Sequence, residues 1–182
     1  MFVVRNGVFE TNSSSSHAFV ICPKEPKEDD CSFDSNDLFE RVMVSENSKY
    51  GVYHACIKEF GRHPFRILFL PEDKADYAIA NGMDKELEKE LNYLYKNYDP
   101  DGYLWAINSL NRAGVKKILV AKSNGWGVDE FKLKAWLDSN KISFHDYLTN
   151  RKYVVICDGD EYNYFDCLLE MGMISKNSKI IK

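Results

Sequence analysis

Three observations predict a single compact domain over 1–182, of the α/β or α+β class. The fold expected is a mixed sheet with an N-terminal β-hairpin and several amphipathic helices. Short apolar runs alternate with longer segments of helical period. Asn6-Gly7 lies between apolar runs and suits a turn with positive φ at both centres. The 182 residues are 45% hydrophobic and 29% charged, a balance that suits one globular core needing neither metal nor disulfide.

The elements follow in order. Residues 2–5 and 8–10 flank Asn6-Gly7 as the hairpin. Residues 17–22 read as a strand, entered through the polar run 11–16. Pro23, Pro26 and the acids around them make 23–36 a mobile surface loop. Residues 37–60 fit helix and strand equally. Residues 65–70 form a short apolar strand stopped by Pro71. A short helix is expected over 74–81, ended by Gly82. Asp84 is a natural N-cap, and Leu87, Leu91, Leu94 and Tyr98 follow at helical spacing. Leu104, Ile107 and Leu110 continue that period in a second helix ended by Gly114. Residues 115–121 are a strand, 129–139 a helix and 153–157 another apolar strand. A helical face over 163–171 stops at Gly172, and 179–181 could add an edge strand.

The net charge is −4, but it is unevenly distributed. Segments 23–40, 72–101 and 153–175 each carry −5, while 41–71 carries +3 and 102–152 carries +5. This excludes a uniformly basic nucleic-acid binder. It allows an acidic surface that competes with nucleic acid for a basic partner. No stretch is apolar enough to span a membrane, and the first residues lack the features of a signal peptide. The expected location is the cytoplasm of a bacterial host. Five cysteines, Cys22, Cys31, Cys56, Cys157 and Cys167, have irregular spacing and no CxxC, which suggests free, mostly buried thiols. His54 beside Cys56 has no zinc spacing. No metal and no cofactor is expected.

Three segments could carry chemistry. In the first, Asn12, Ser13, Ser14 and His17 could contact a ligand or partner, or His17 could serve a serine nucleophile. The run lacks a nucleophile elbow and a Walker loop, and its plainest role is a hydrogen-bonded turn. The second is Asp158-Gly159-Asp160-Glu161 after a strand. Paired acids there could hold Mg²⁺, form an acidic partner patch with Asp166, or cap the next helix. Tyr162 replaces the Thr or Val of the haloacid dehalogenase pattern. The third is Trp126 in Gly125-Trp126-Gly127, which is either an interface anchor or a loop-covered core residue. Tyr93, Tyr95, Tyr98 and Tyr103 are too dense for all to be core, so some should be exposed.

The string from Arg5 to His17, RNGVFETNSSSSH, resembles the opening of a group of small proteins from phages and mobile elements of Firmicutes. The chain's length and character are similar to those of type II anti-CRISPR proteins within it. This resemblance implies a Cas9 inhibitor with no catalytic residue. Its partner would be the Cas9–guide RNA complex, without sequence-specific DNA binding or membrane association. Cas9 holds nucleic acid in basic channels, so acidic blocks would compete with DNA. The partner-binding residues expected are Asp158, Asp160, Glu161, Asp166 and Trp126. The alternative is a mobile-element enzyme acting on a nucleotide or nucleic-acid phosphate. It would use Asp158 and Asp160 with Mg²⁺, or the Ser13–His17 segment.

Overall fold

The computed structural model describes residues 9–10, 16–26, 38–57, 60, 66–97, 104–122 and 132–158. The architecture is mixed α+β, with two separate sheets where one was expected.

The first sheet comprises β1 (Phe9–Glu10), β2 (Ser16–Ile21), β5 (Arg66–Leu68) and β7 (Tyr153–Asp158). Its order is β1-β2-β7-β5, and every pairing is antiparallel. β1 and β2 form a hairpin, but the predicted Asn6-Gly7 turn lies outside the described residues. The centre is the apolar run of β7, where Val154, Val155, Ile156 and Cys157 are all buried. Such an uninterrupted run suits a strand covered on both faces.

The second sheet holds β3 (Val42–Val44), β4 (Tyr50–Tyr53) and β6 (Lys117–Val120), in order β3-β4-β6. β3 and β4 pair antiparallel, while β4 and β6 pair parallel. The ambiguous 37–60 segment therefore contains two strands. Val42, Tyr53 and Ile118 point into the core, and Met43 and Tyr50 point outward.

Helix α1 (Pro71–Ala80) serves both cores. Ala75 and Ile79 pack with the second sheet, and Tyr77, Ala78 and Ala80 with the first. It begins three residues before the predicted start of 74. Proline is pre-organised for a first helical position and has no N–H to leave unpaired. The helix ends at Asn81, with Gly82 at φ 74°. Met83 N–H reaches Ala78 O at 2.9 Å and Gly82 N–H reaches Ile79 O at 3.0 Å. This is a Schellman ending, which glycine permits without a Cβ penalty. Gly114 ends α3 (Leu104–Arg112) in the same way, with φ 77°.

α2 (Asp84–Asn97) buries Leu87, Leu91 and Leu94, as its period predicts, and also Tyr95. Tyr98 lies outside the described residues. α3 buries Ala106, Ile107 and Leu110 but leaves Leu104 half-exposed. α4 (Lys132–Asn140) covers the described part of the predicted 129–139 helix. Its Trp136 stacks on Phe19 with ring centroids 5.1 Å apart. Asn81 Oδ1 accepts the Leu133 N–H at 3.1 Å, so the end of α1 satisfies a donor in the first turn of α4. α5 (Phe144–Thr149) corresponds to no predicted element. The predicted elements at 163–171 and 179–181 lie outside the described residues, as does most of the 23–36 loop.

Candidate functional site

β2 and β7 bring two of the predicted segments together. Their register sets Ser16 opposite Asp158 and His17 opposite Cys157. The strands are antiparallel, so the first residue of β2, Ser16, lies at the same end of the sheet as the last residue of β7, Asp158. Residues 66 and 157 are also in register there, which adds the start of β5. Asn12, Ser13, Ser14, Trp126, Asp160, Glu161 and Asp166 themselves lie outside the described residues, and only the backbone of Asp158 is described.

His17 is buried. Its Nε2 lies 3.3 Å from the Phe60 carbonyl and its Nδ1 lies 3.0 Å from the Tyr77 hydroxyl. A carbonyl only accepts, so Nε2 carries a proton. The ring ties β2 to α1 and to residue 60. This engagement makes it a structural histidine in the present arrangement.

The strongest electrostatic feature was not predicted and lies on α1. Asp76 is fully buried. Its Oδ1 accepts from the Tyr53 hydroxyl at 3.0 Å, and its Oδ2 accepts from the N–H groups of Cys56 and Ile57 at 3.1 and 3.0 Å. The Arg41 guanidinium also donates to Oδ2. Burial pushes the carboxyl upward, while Arg41, Ile57 and Tyr53 pull it down. Asp73 is 4.0 Å from Arg41 and is likewise raised by burial. One carboxylate thus fixes the segment before β3, the end of β4 and α1. Its signal in the sequence was a lone acid among the alanines of KADYAIA.

Lys74, two residues earlier, is also fully buried. Nζ donates to the Asn150 carbonyl at 3.0 Å and sits 5.6 Å from the Tyr147 ring centroid. Burial, with the Arg151 charge, lowers its ammonium to about 7. A perturbed lysine can mark an active site. Here the amine is enclosed without exposure, and its geometry pins α1 to the end of α5.

Cys22 and Cys157 are buried free thiols, while Cys56 is free and exposed. Burial raises the Cys22 thiol to about 11, which disfavours its reactive thiolate. Tyr95 is buried and Tyr93 exposed, so the dense tyrosines do divide. Among the described residues, no group of His, Cys, Asp and Glu could hold a metal ion. No helix there is long and apolar enough to cross a membrane.

A groove of about 440 Å³ runs between α2 and β6. Lys85, Lys89 and Lys96 line it from α2, and Lys116 and Lys117 from β6 and its approach. The sequence shows these lysines in two opposite charge blocks, so no single segment signals the groove.

The chain matches no family model, no curated protein and no solved structure.

Proposed function

We propose that this protein is a non-enzymatic inhibitor of CRISPR-Cas9. It binds the Cas9–guide RNA complex and blocks engagement of target DNA. The observation that carries this reading is the register of Ser16 opposite Asp158. Ser16, from the segment bearing the anti-CRISPR resemblance, and Asp158, the first of the acids, share one end of one sheet. A single surface can therefore present both to a partner. Asp158, Asp160, Glu161 and Asp166 would oppose basic channels that otherwise hold DNA. The burial of His17 favours binding over serine-histidine catalysis.

Titrating the protein into Cas9–guide complex should suppress target-DNA binding at equimolar ratio. Joint replacement of the four acids by their amides should weaken this effect and its salt sensitivity. Undiminished DNA binding and cleavage at molar excess would sink the proposal.

The same convergence favours a second reading, an enzyme acting on a nucleic-acid phosphate. Asp158 and Asp160 would hold Mg²⁺ beside the serine run. That reading predicts sub-stoichiometric action abolished by Asp160→Asn. Full activity of the Asp160→Asn protein rules it out.

A further inference from the structure

The groove between α2 and β6 has a charge pattern that folding does not require. On a helix turning about 100° per residue, Lys85, Lys89, Asn92 and Lys96 fall within an arc of about 60°. Lys85 and Lys89 are like charges at i and i+4, an arrangement that costs helix stability. Three of the four acids of α2 are engaged elsewhere or neutralised. Glu86 pairs with Lys134 at 3.2 Å and Glu90 with His145 at 2.6 Å. Glu88, the one acid lining the groove, holds Lys117 at 2.6 Å. Lys85, Lys89, Lys96 and Lys116 are exposed and form no ion pair among the described residues. An acidic protein thus presents four uncompensated ammonium groups along one groove.

The outer face of the second sheet adjoins them. Tyr50 lies in register with Lys117 on the neighbouring strand, so both side chains stand on the same face. Tyr50 is 51% exposed. Met43 (65% exposed), Val52 and Leu119 continue that face, because 43 pairs with 52 and 52 with 119. The result is a lysine-lined channel beside an aromatic and apolar platform.

We propose that this surface binds single-stranded nucleic acid. The lysines take the phosphates, and Tyr50 stacks beneath a base. Basic grooves combined with stacking aromatics suit single strands, whose bases are open to a flat side chain. A duplex hides its bases and would use only the lysines. Lys85 to Lys96 spans about 16 Å along the helix, at 1.5 Å per residue. That length matches roughly five phosphates of a stacked strand. In the inhibitor reading the strand could be exposed guide RNA, but the proposal stands without it.

The test uses the whole chain alone, with labelled oligo(dT) and oligo(U), a duplex of equal length and a poly-glutamate peptide. Fluorescence anisotropy at low salt should show single strands bound more tightly than either comparator. Affinity should fall with salt at a log–log slope of about −3, from four phosphate contacts at about 0.7 each. Lys89→Glu with Lys96→Glu should weaken binding about tenfold or more, because each reversal replaces attraction with repulsion. Tyr50→Ala should weaken it about fivefold or more through lost stacking. Both variants change exposed residues, and unchanged thermal unfolding verifies their folding. No single-strand binding at low salt overturns the proposal. So does equal affinity for poly-glutamate or duplex, or an unaffected Tyr50→Ala protein. Cas9 is absent, so failure here and failure of the inhibitor reading are separate results.

Discussion

The Asn92 side chain is bonded to both main-chain polar groups of Ile118. Oδ1 accepts the Ile118 N–H at 3.0 Å, and Nδ2 donates to the Ile118 carbonyl at 2.7 Å. Four residues earlier on α2, Glu88 Oε2 accepts from the Val120 N–H at 3.4 Å. The spacings agree. Four helical residues rise about 6.0 Å and two strand residues about 6.6 Å. Two side chains of α2 therefore pair with the edge of β6 as a neighbouring strand would. Open edges invite pairing with other chains, and α2 blocks this one.

Asn92→Ala should therefore do more than remove a surface amide. It leaves the Ile118 N–H and carbonyl without their side-chain partner, at a cost of about 2 kcal/mol. A urea unfolding midpoint would report the loss. Amide exchange should accelerate at Ile118 and stay unchanged at Val155 in the other sheet. An unaltered Ile118 amide would show that the edge does not depend on Asn92.

Asp76 and Arg41 should respond unequally to substitution. Asp76→Ala strands a buried guanidinium and removes the acceptor of Tyr53, Cys56 and Ile57. A loss of about 4 kcal/mol is expected for breaking such a pair from one side. Arg41→Met leaves Asp76 three of its donors and should cost clearly less. Chemical denaturation of both variants checks this order, and a larger loss for Arg41→Met would contradict Asp76 as the hub.

The fold was legible where period and punctuation agreed. Leu87, Leu91 and Leu94 marked α2, and Gly82 and Gly114 marked helix ends because positive φ favours glycine. The strands at β5, β6 and β7 were legible as short apolar runs. α5 was missed because six residues do not establish a period. Its signal was local. Ser143 caps the helix by accepting the Asp146 N–H at 3.0 Å, in the S-x-x-D pattern of a capping box. The division into two sheets was not legible, since pairing partners are set by tertiary packing. The same holds for the groove and the Asp76 hub, whose members come from distant segments. The Ser16–Asp158 pairing was hidden too, although the serine run and the paired acids are each conspicuous in the sequence.

Gly51 should tolerate no side chain while Val42 is present. A Cβ at Gly51 would lie 2.5 Å from Val42 Cγ1. Valine is stiff at χ1 and cannot swing its methyl aside cheaply. Gly51→Ala should cost about 2 kcal/mol by overpacking. Combining it with Val42→Ala should add almost nothing to the cost of Val42→Ala alone, giving a large coupling in a double-mutant cycle. Gly114→Ala meets nothing within 4 Å and suffers only from φ 77°, at about 1 kcal/mol. Thermal unfolding of the four variants separates steric crowding from backbone strain. Additive losses at positions 42 and 51 would refute the clash.

Lys74 should make stability rise with pH above neutrality. Its folded ammonium is lowered to about 7 from an ordinary value of 10.5. Between those values the unfolded chain binds more protons than the folded one, so raising the pH favours folding. The effect should be clearest from about pH 7 to 9. Above that range the thiol of Cys157 and the hydroxyls of Tyr53 and Tyr147, all raised by burial, have the opposite sign. They resist ionisation only in the folded state, so stability falls again as the unfolded chain loses those protons. Across the lower window the gain should be about 2 kcal/mol, given about 1.4 kcal/mol per pH unit for one full proton. Lys74→Met removes the titrating group and should flatten the profile between pH 7 and 9. Urea denaturation of both proteins at several pH values provides the comparison. An equal rise in the Lys74→Met protein would assign the dependence to another group.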